Sequence, residues 1–205
     1  MDHYFTNNNL KSNLNKVLVK ISDKSFNFYT DNGVFSKKGL DFGSRSLINA
    51  LLKENLEKTV LDVGCGYGCL GIILSSFFNI QTDMIDINKR AVHLANMNIK
   101  ENNLENAIAF ESNIYENITK KYDYIITNPP IRAGKQIVCE ILFGAKEYLN
   151  KNGTLYFVIN KDQGAKTIIK ELEQLAKVEI LDKNKGFFVI KCKFDWHIDK
   201  IVVII

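Results

Sequence analysis

Proline is almost missing from this 205-residue chain: there are two, and they stand side by side as Pro129-Pro130. With its glycines well spaced as well, the sequence is neither collagen-like nor a proline-rich linker. Cysteine is scarce. The four thiols Cys65, Cys69, Cys139 and Cys192 are too few for a disulfide framework. No apolar run approaches the roughly 18 residues that span a bilayer, and Met1 to Asn7 lack the basic-then-apolar pattern of a leader. A cytoplasmic protein is the expectation, in which the glycosylation-like sequons at Asn117 and Asn152 carry no meaning. His3, His93 and His197 stand alone, and Cys65-x-x-x-Cys69 has no matching pair, so no metal is expected. No Ser-His-Asp arrangement presents itself.

What is present is ordinary globular composition. Hydrophobic residues make up 46% and charged residues 24%, enough for a packed core. A mass of 23.4 kDa suits one domain with a short appendage. The net charge of +4 permits a polyanionic partner without demanding one.

Periodicity gives the elements. Val17, Val19 and Ile21, then Phe26 and Phe28, alternate with polar neighbours and read as short strands in a hairpin closed near Asp31-Asn32-Gly33. Residues 44–57 carry Leu47, Ile48, Leu51 and Leu52 at helical spacing. From Thr59 the pattern becomes strand-helix alternation. Strands are expected at 59–63, 80–87, 107–111, 122–127 and 154–159, with helices at 67–77, 88–101, 136–149 and 162–175. This is the signature of a doubly wound, mostly parallel α/β sheet. Strands at 177–181 and 187–191, joined by the turn 182–186, predict an antiparallel hairpin at one edge. The apolar end Ile201 to Ile205 reads equally as a strand or a sticky tail.

Two segments carry chemistry. In the first, Val60-Leu61-Asp62-Val63-Gly64-Cys65-Gly66-Tyr67-Gly68, a strand ends in glycines and a helix begins. Glycines let the backbone approach a ligand where a Cβ would collide, and the helix start favours electron-rich groups. Gly66-x-Gly68-x-x-Gly71 formally matches the dinucleotide fingerprint, with Asp86 placed for a ribose hydroxyl, so a nicotinamide oxidoreductase is one reading. Asp62, two residues before Gly64, sits badly beside a pyrophosphate and well beside an ammonium group. The segment resembles motif I of the class I S-adenosylmethionine-dependent methyltransferases. That resemblance implies a Rossmann-like seven-stranded sheet and S-adenosyl-L-methionine as cofactor. It implies cofactor contacts at Asp62, Gly64, Cys65 and Gly66, at Asp86 and Ile87, at Asn113 on the adenine side, and at Asn128.

The second segment, Thr127-Asn128-Pro129-Pro130, closes an apolar strand. The proline pair fixes φ and removes donors, and Asn128 is pushed towards extended geometry. One carboxamide and bare carbonyls are then presented at the carboxyl edge of the sheet, where open α/β sheets bind ligands. The Asn128 side-chain oxygen and the Pro129 carbonyl can accept the two hydrogens of an exocyclic amino group and aim its lone pair at a methyl sulfonium. The tetrad Asn128-Pro129-Pro130-Ile131 resembles motif IV of amino-group methyltransferases, with Asn128, Pro129 and Pro130 as its catalytic turn. Ile131 replaces the aromatic usual in the adenine and protein-glutamine branches. With Gly33-Val34-Phe35-Ser36, Leu40 to Ser44 and Lys161 to Ala165, the chain resembles the small-domain branch related to the ribosomal RNA small-subunit guanine methyltransferases.

The resemblance implies methyl transfer to guanine in ribosomal RNA, with a protein glutamine or nucleic-acid adenine as the rival acceptor. Phe35, Phe42 and Ile131 then become candidates to contact an extruded base, and Arg132 and Lys135 to hold phosphates. Lys183, Lys185, Lys191 and Lys193 read as a solvated hairpin face. The expected organisation is an N-terminal extension with a substrate-side loop (1–43), a methyltransferase domain (44–194) and a tail (195–205).

Overall fold

The computed structural model describes residues 11–197; the expectations for the first seven residues and for Ile201 to Ile205 lie outside them. An antiparallel pair comes first, β1 (Asn15–Ile21) and β2 (Lys24–Thr30). The chain then alternates through α1 (Phe42–Leu51), β3 (Thr59–Val63), α2 (Cys69–Phe78), β4 (Gln81–Asp86), α3 (Lys89–Glu101), β5 (Ala107–Glu111) and β6 (Tyr122–Thr127). It continues through α4 (Lys135–Tyr148), β7 (Leu149–Asn160), α5 (Ala165–Leu172), β8 (Ala176–Asn184) and β9 (Phe187–Phe194). The main sheet has seven strands in the order β5-β4-β3-β6-β7-β9-β8. β3 to β7 pair in parallel; β9 is antiparallel to both β7 and β8. This is the doubly wound, Rossmann-like α/β fold with an antiparallel edge hairpin that the alternation predicts. Among the described residues no helix is long and apolar enough to cross a membrane.

The order of strands reverses at β3: the chain winds outwards through β4 and β5, then returns to β6 on the other side. A crevice opens at such a switch point, at the carboxyl ends of β3, β4 and β6. Thr127 Oγ1 donates to the Val63 carbonyl at 2.8 Å, which ties the last residue of β6 to the last residue of β3. Two apolar layers cover the sheet. One contains Leu47, Ile48, Leu51, Ile72 and Ile73 and takes in the hairpin residues Val19, Ile21, Phe26 and Phe28. The other is built on α4 and α5.

Four local expectations need correction. The first hairpin closes at Ser22-Asp23, where Ser22 takes φ +51°, not at Asp31-Asn32-Gly33. The Asp31 carboxylate accepts instead from Asn13 N, Ser12 Oγ and Asn32 N, so it caps the exit of β2 rather than a turn between strands. α1 starts at Phe42, with Asp41 as its N-cap, and stops at Leu51, where i→i+3 bonds from Lys53 and Glu54 tighten its end. The predicted helix 162–175 is shorter because Gly164, at φ +82°, separates a 3₁₀ turn (161–163) from α5. β8 runs on into the expected turn and β9 beyond 191 to Phe194, and Lys185-Gly186 form the tip.

Asparagines sew the first hairpin to the sheet domain. Asn98 on α3 is fully buried. Its Nδ2 donates to the carbonyls of Tyr29 (3.0 Å) and Tyr67 (2.8 Å), and its Oδ1 accepts from Tyr29 N (2.6 Å). One side chain therefore joins β2, α3 and the glycine loop. Replacing it strands three buried backbone groups, each worth about 1–3 kcal/mol when left unpaired but partly relieved by water. Asn98→Ala is expected to lower the unfolding free energy by about 2–4 kcal/mol in urea denaturation; a loss below about 1 kcal/mol would show that the hairpin is held by apolar packing alone.

Candidate active site

The crevice at the switch point is a cleft of about 500 Å³. Its floor is the glycine loop. Gly64, Gly66 and Gly68 take φ of +73°, +57° and +87°, a region closed to most side chains. Space above Gly66 is open: a Cβ there would meet nothing within 4 Å. Gly71 serves packing instead, since a Cβ would come to 2.6 Å from the Met84 sulfur and hold α2 off β4.

Two carboxylates shape this loop. Asp62, at the end of β3, accepts from Gly71 N at 3.0 Å through Oδ2 and is 1% exposed. Asp86, at the end of β4, accepts from Gly66 N at 2.9 Å through Oδ2 and from Asn88 N at 2.9 Å through Oδ1. Burial pushes the Asp62 carboxyl up to about 7; the Gly71 amide offsets part of this, and the negative charge of Asp86 adds to it. Burial also raises Asp86, against the pull of the Asn88 and Gly66 amides. Cys65 lines the cleft as a buried thiol, pushed well above its ordinary value by burial and by these two acids.

The adenine-side candidates lie at the ends of β4 and β5. Ile87 is 39% exposed and lines the cleft. Asn113 lines it too and is exposed. Beside it, Ile114 is held at φ +51°, unfavourable for a β-branched residue, with its carbonyl accepting from Ser112 Oγ at 3.0 Å.

Asn128, Pro129 and Pro130 form the opposite wall. Pro129 is buried and Asn128 half-buried. The Asn128 Nδ2 donates to Asp41 Oδ1 at 3.2 Å and to Ser44 Oγ at 2.9 Å. Asp41 and Ser44 are functional-site residues missing from the sequence-based set. Asp41 could have been found as the cap before an apolar helical run; no signal announced its reach across 87 residues to Asn128.

The substrate-side loop forms the roof. Asn88 Nδ2 donates to the Gly33 carbonyl at 2.9 Å and Arg90 to the Asn32 carbonyl at 2.7 Å, pinning the loop to the start of α3. Phe35, 52% exposed, lines the cleft with Phe42, Ile131 and Arg132. Phe42 packs against Phe187 of β9 at 5.5 Å between centroids, and Lys185 Nζ stands 5.0 Å over the Phe42 ring. The β8–β9 tip thus reaches the cleft, which a solvated lysine face did not predict. Lys191 departs from that expectation as well: its side chain is 21% exposed and pairs with Glu54, which also accepts from Tyr156. Lys135 is outside the cleft wall, 3.9 Å from Glu171.

The raised pKa of Asp62 makes folding stability depend on pH. An unfolded Asp titrates near its model value of 3.8, the folded one near 7. Folding therefore takes up a proton between these values, and the contribution is fully present below about pH 4 and lost as pH rises through 7. The stability difference between wild type and Asp62→Asn is expected to move by about 2–4 kcal/mol in favour of the variant between pH 4.5 and pH 8. Urea titrations across that range check it; a difference flat in pH would show that Asp62 is ionised throughout.

The family described as "Methyltransferase small domain" matches residues 25–191. A Bacillus subtilis (strain 168) protein named "Uncharacterized protein YbxB" is 42% identical over 197 residues, covering 94% of this chain and 98% of its own length. "Ribosomal RNA small subunit methyltransferase C" of Erwinia tasmaniensis is 38% identical over 133 residues, and the match covers 62% of this chain but only 38% of that protein. Among solved structures, a T. thermophilus 16S rRNA N2 methyltransferase (RsmC) in complex with AdoMet and guanosine superposes with a TM-score of 0.80. It is 23% identical, and the match covers 89% of this chain and 51% of that one. A ribosomal protein L11 methylase from Lactobacillus delbrueckii shares the fold at a TM-score of 0.67 and 18% identity, over 76% of this chain and 80% of that one. With the family match spanning most of its length, the chain belongs to the small-domain methyltransferases rather than to the nicotinamide-binding oxidoreductases that its glycine spacing also permits.

Proposed function

We propose that the protein is a cytoplasmic methyltransferase that uses S-adenosyl-L-methionine to methylate an exocyclic amino group, the acceptor being guanine N2 in small-subunit ribosomal RNA. The observation that carries this reading is the orientation of Asn128: with its amide nitrogen bonded to Asp41 and Ser44, its Oδ1 is left for a ligand in the cleft. The names of the ribosomal RNA methyltransferase relatives support RNA as the substrate.

The cleft fits the cofactor. Asp62 and Asp86 lie under the glycine loop, and their negative potential favours a ligand bearing ammonium and sulfonium charge over a pyrophosphate. Gly64, Cys65 and Gly66 would carry its methionine part, Asp86 and Ile87 its ribose, and Asn113 its adenine edge. When bound, S-adenosyl-L-methionine supplies an electrophilic methyl group.

The chain's own residues do the rest. Asn128 Oδ1 and the Pro129 carbonyl accept the two amino hydrogens, which draws the nitrogen lone pair away from the ring and aims it. The rigid Pro129-Pro130 turn holds both acceptors in place. No base is needed before transfer, because the amine is neutral; its extra proton leaves to water afterwards. Positioning is the main contribution. Phe35 and Phe42 would stack on the extruded base, Ile131 would flank it, and Arg132 would meet the adjoining phosphate. Lys135 would act further along the backbone, as its distance from the cleft requires.

The test is incorporation of label from radioactive S-adenosyl-L-methionine into naked ribosomal RNA, small subunits, transfer RNA and total protein offered in parallel. N2-methylguanine is expected in ribosomal RNA or small subunits, and Asn128→Ala is expected to lower its rate at least ~100-fold. Label confined to protein would move the acceptor to a side-chain amide. Label in RNA as methyladenine would show that Ile131 does not select guanine.

A further inference from the structure

We propose that Asp41 is a positioning residue for methyl transfer: its carboxylate, with the Ser44 hydroxyl, locks the Asn128 carboxamide in the one orientation that leaves Oδ1 facing the acceptor. The proposal rests on the role given above to Asn128.

An asparagine amide can turn over, exchanging oxygen for nitrogen with little change in shape. At a site that must accept two amino hydrogens, the flipped form presents donors to donors and is inactive. Something must therefore choose the face. Asp41 Oδ1 lies 3.2 Å from Asn128 Nδ2 and Ser44 Oγ lies 2.9 Å from it. A carboxylate has no proton to give, so it tolerates only the nitrogen side; the flipped amide would place two oxygens in contact. Both amide hydrogens are then taken, and Oδ1 is the only polar atom of the side chain left for substrate.

Asp41 is itself held. The same Oδ1 accepts from Ser44 N at 3.1 Å, capping α1. Gly43 keeps the corner small: a Cβ there would stand 3.2 Å from Asp41 Oδ1 and 3.1 Å from the Phe187 ring. The N-terminal turn of α1 is thus the fixed jaw against which the carboxamide is set. The substrate-side loop ends at this jaw, so the segment that roofs the cleft also orients the group beneath it.

Capping and orienting can be separated. Serine caps a helix about as well as aspartate, so Asp41→Ser keeps the cap, but its shorter side chain draws back from Asn128 and its hydroxyl, donor and acceptor alike, tolerates either face of the amide. With small-subunit ribosomal RNA as acceptor, Asp41→Ser is expected to lower kcat about 10–100-fold while the KM for S-adenosyl-L-methionine stays within about twofold and Tm is nearly unchanged. Asp41→Asn can hold both bonds, because one Oδ1 caps Ser44 N and meets the Asn128 nitrogen from the same place. It is expected to retain at least ~10-fold more activity than Asp41→Ser at a similar Tm, a rescue by the conservative variant that a purely structural role does not give. The orientation is also read without any acceptor. The Asn128 side-chain amide signals, assigned by their loss in Asn128→Asp, are expected to exchange slowly with water and to shift in Asp41→Ser.

An unchanged kcat in Asp41→Ser, an Asp41→Asn variant no better than Asp41→Ser, or Asn128 signals indifferent to residue 41 would each overturn the proposal. If wild type labels no RNA, the guanine reading fails by itself, and the amide signals still decide whether Asp41 sets the carboxamide.

Discussion

The loop that floors the cleft has the shape it has because two carboxylates end neighbouring parallel strands and reach back to its amides. Asp62 holds Gly71 N and Asp86 holds Gly66 N, so both ends of a segment rich in positive φ are fixed by acceptors buried in the sheet. Glycine supplies the conformational freedom and the acids remove it again. Burial raises both carboxyls, and the charge of Asp86 adds to the rise of Asp62, a cost the protein carries at the cleft. Everything above the floor is positioned relative to this loop: α2 starts from it, β6 is stitched to β3 at Val63, and Asn98 ties the first hairpin to its Tyr67 carbonyl.

The second wall depends on a contact that is remote in sequence. Asp41 begins α1 and also holds Asn128 at the end of β6. The N-terminal part of the chain is thereby built into the site rather than appended to it, which its share in the first apolar layer already indicates. Asn88 and Arg90 complete the join from α3 by gripping the carbonyls of Gly33 and Asn32. Three polar side chains at the starts of two helices, α1 and α3, thus hold one loop, together with the buried Val34.

The parts legible in the sequence were those encoded by short-range pattern. Alternation and glycine spacing located every strand of the main sheet, and the bounds of β5 and β6 coincide with the expectation to the residue. Boundaries failed where a side chain, not a propensity, decided them: Asp31 ends β2 because its carboxylate is taken by Ser12, Asn13 and Asn32. The Asn-Pro-Pro turn and the glycine loop were visible because rare residues mark them. The Asp41–Asn128 contact and the approach of Phe187 and Lys185 to the cleft were not, since aspartate at a cap, phenylalanine in a strand and lysine at a hairpin tip are each ordinary locally. Only the strand order, which folds the edge hairpin back beside β7, gives them a place at the site.

That same topology divides the chain's charge. A net +4 says little by itself, but its distribution is not uniform. The cleft floor carries Asp62 and Asp86, while Arg132 lines its wall and Lys185 stands over Phe42 at its rim. Lys37 and Lys38 are exposed on the loop between. A negative floor attracts a cationic ligand and repels a polyanion from the depth of the cleft, whereas a basic rim retains a polyanion at the surface. An aromatic pair, Phe42 and Phe187, lies at the boundary between floor and rim, with the Lys185 ammonium over one ring. A protein-side-chain acceptor would need the reaching group but not the basic rim. Asp41 adds a negative charge to the wall, so the basic groups Arg132 and Lys185 lie outward of three carboxylates, an order that fits the nucleic-acid acceptor proposed above.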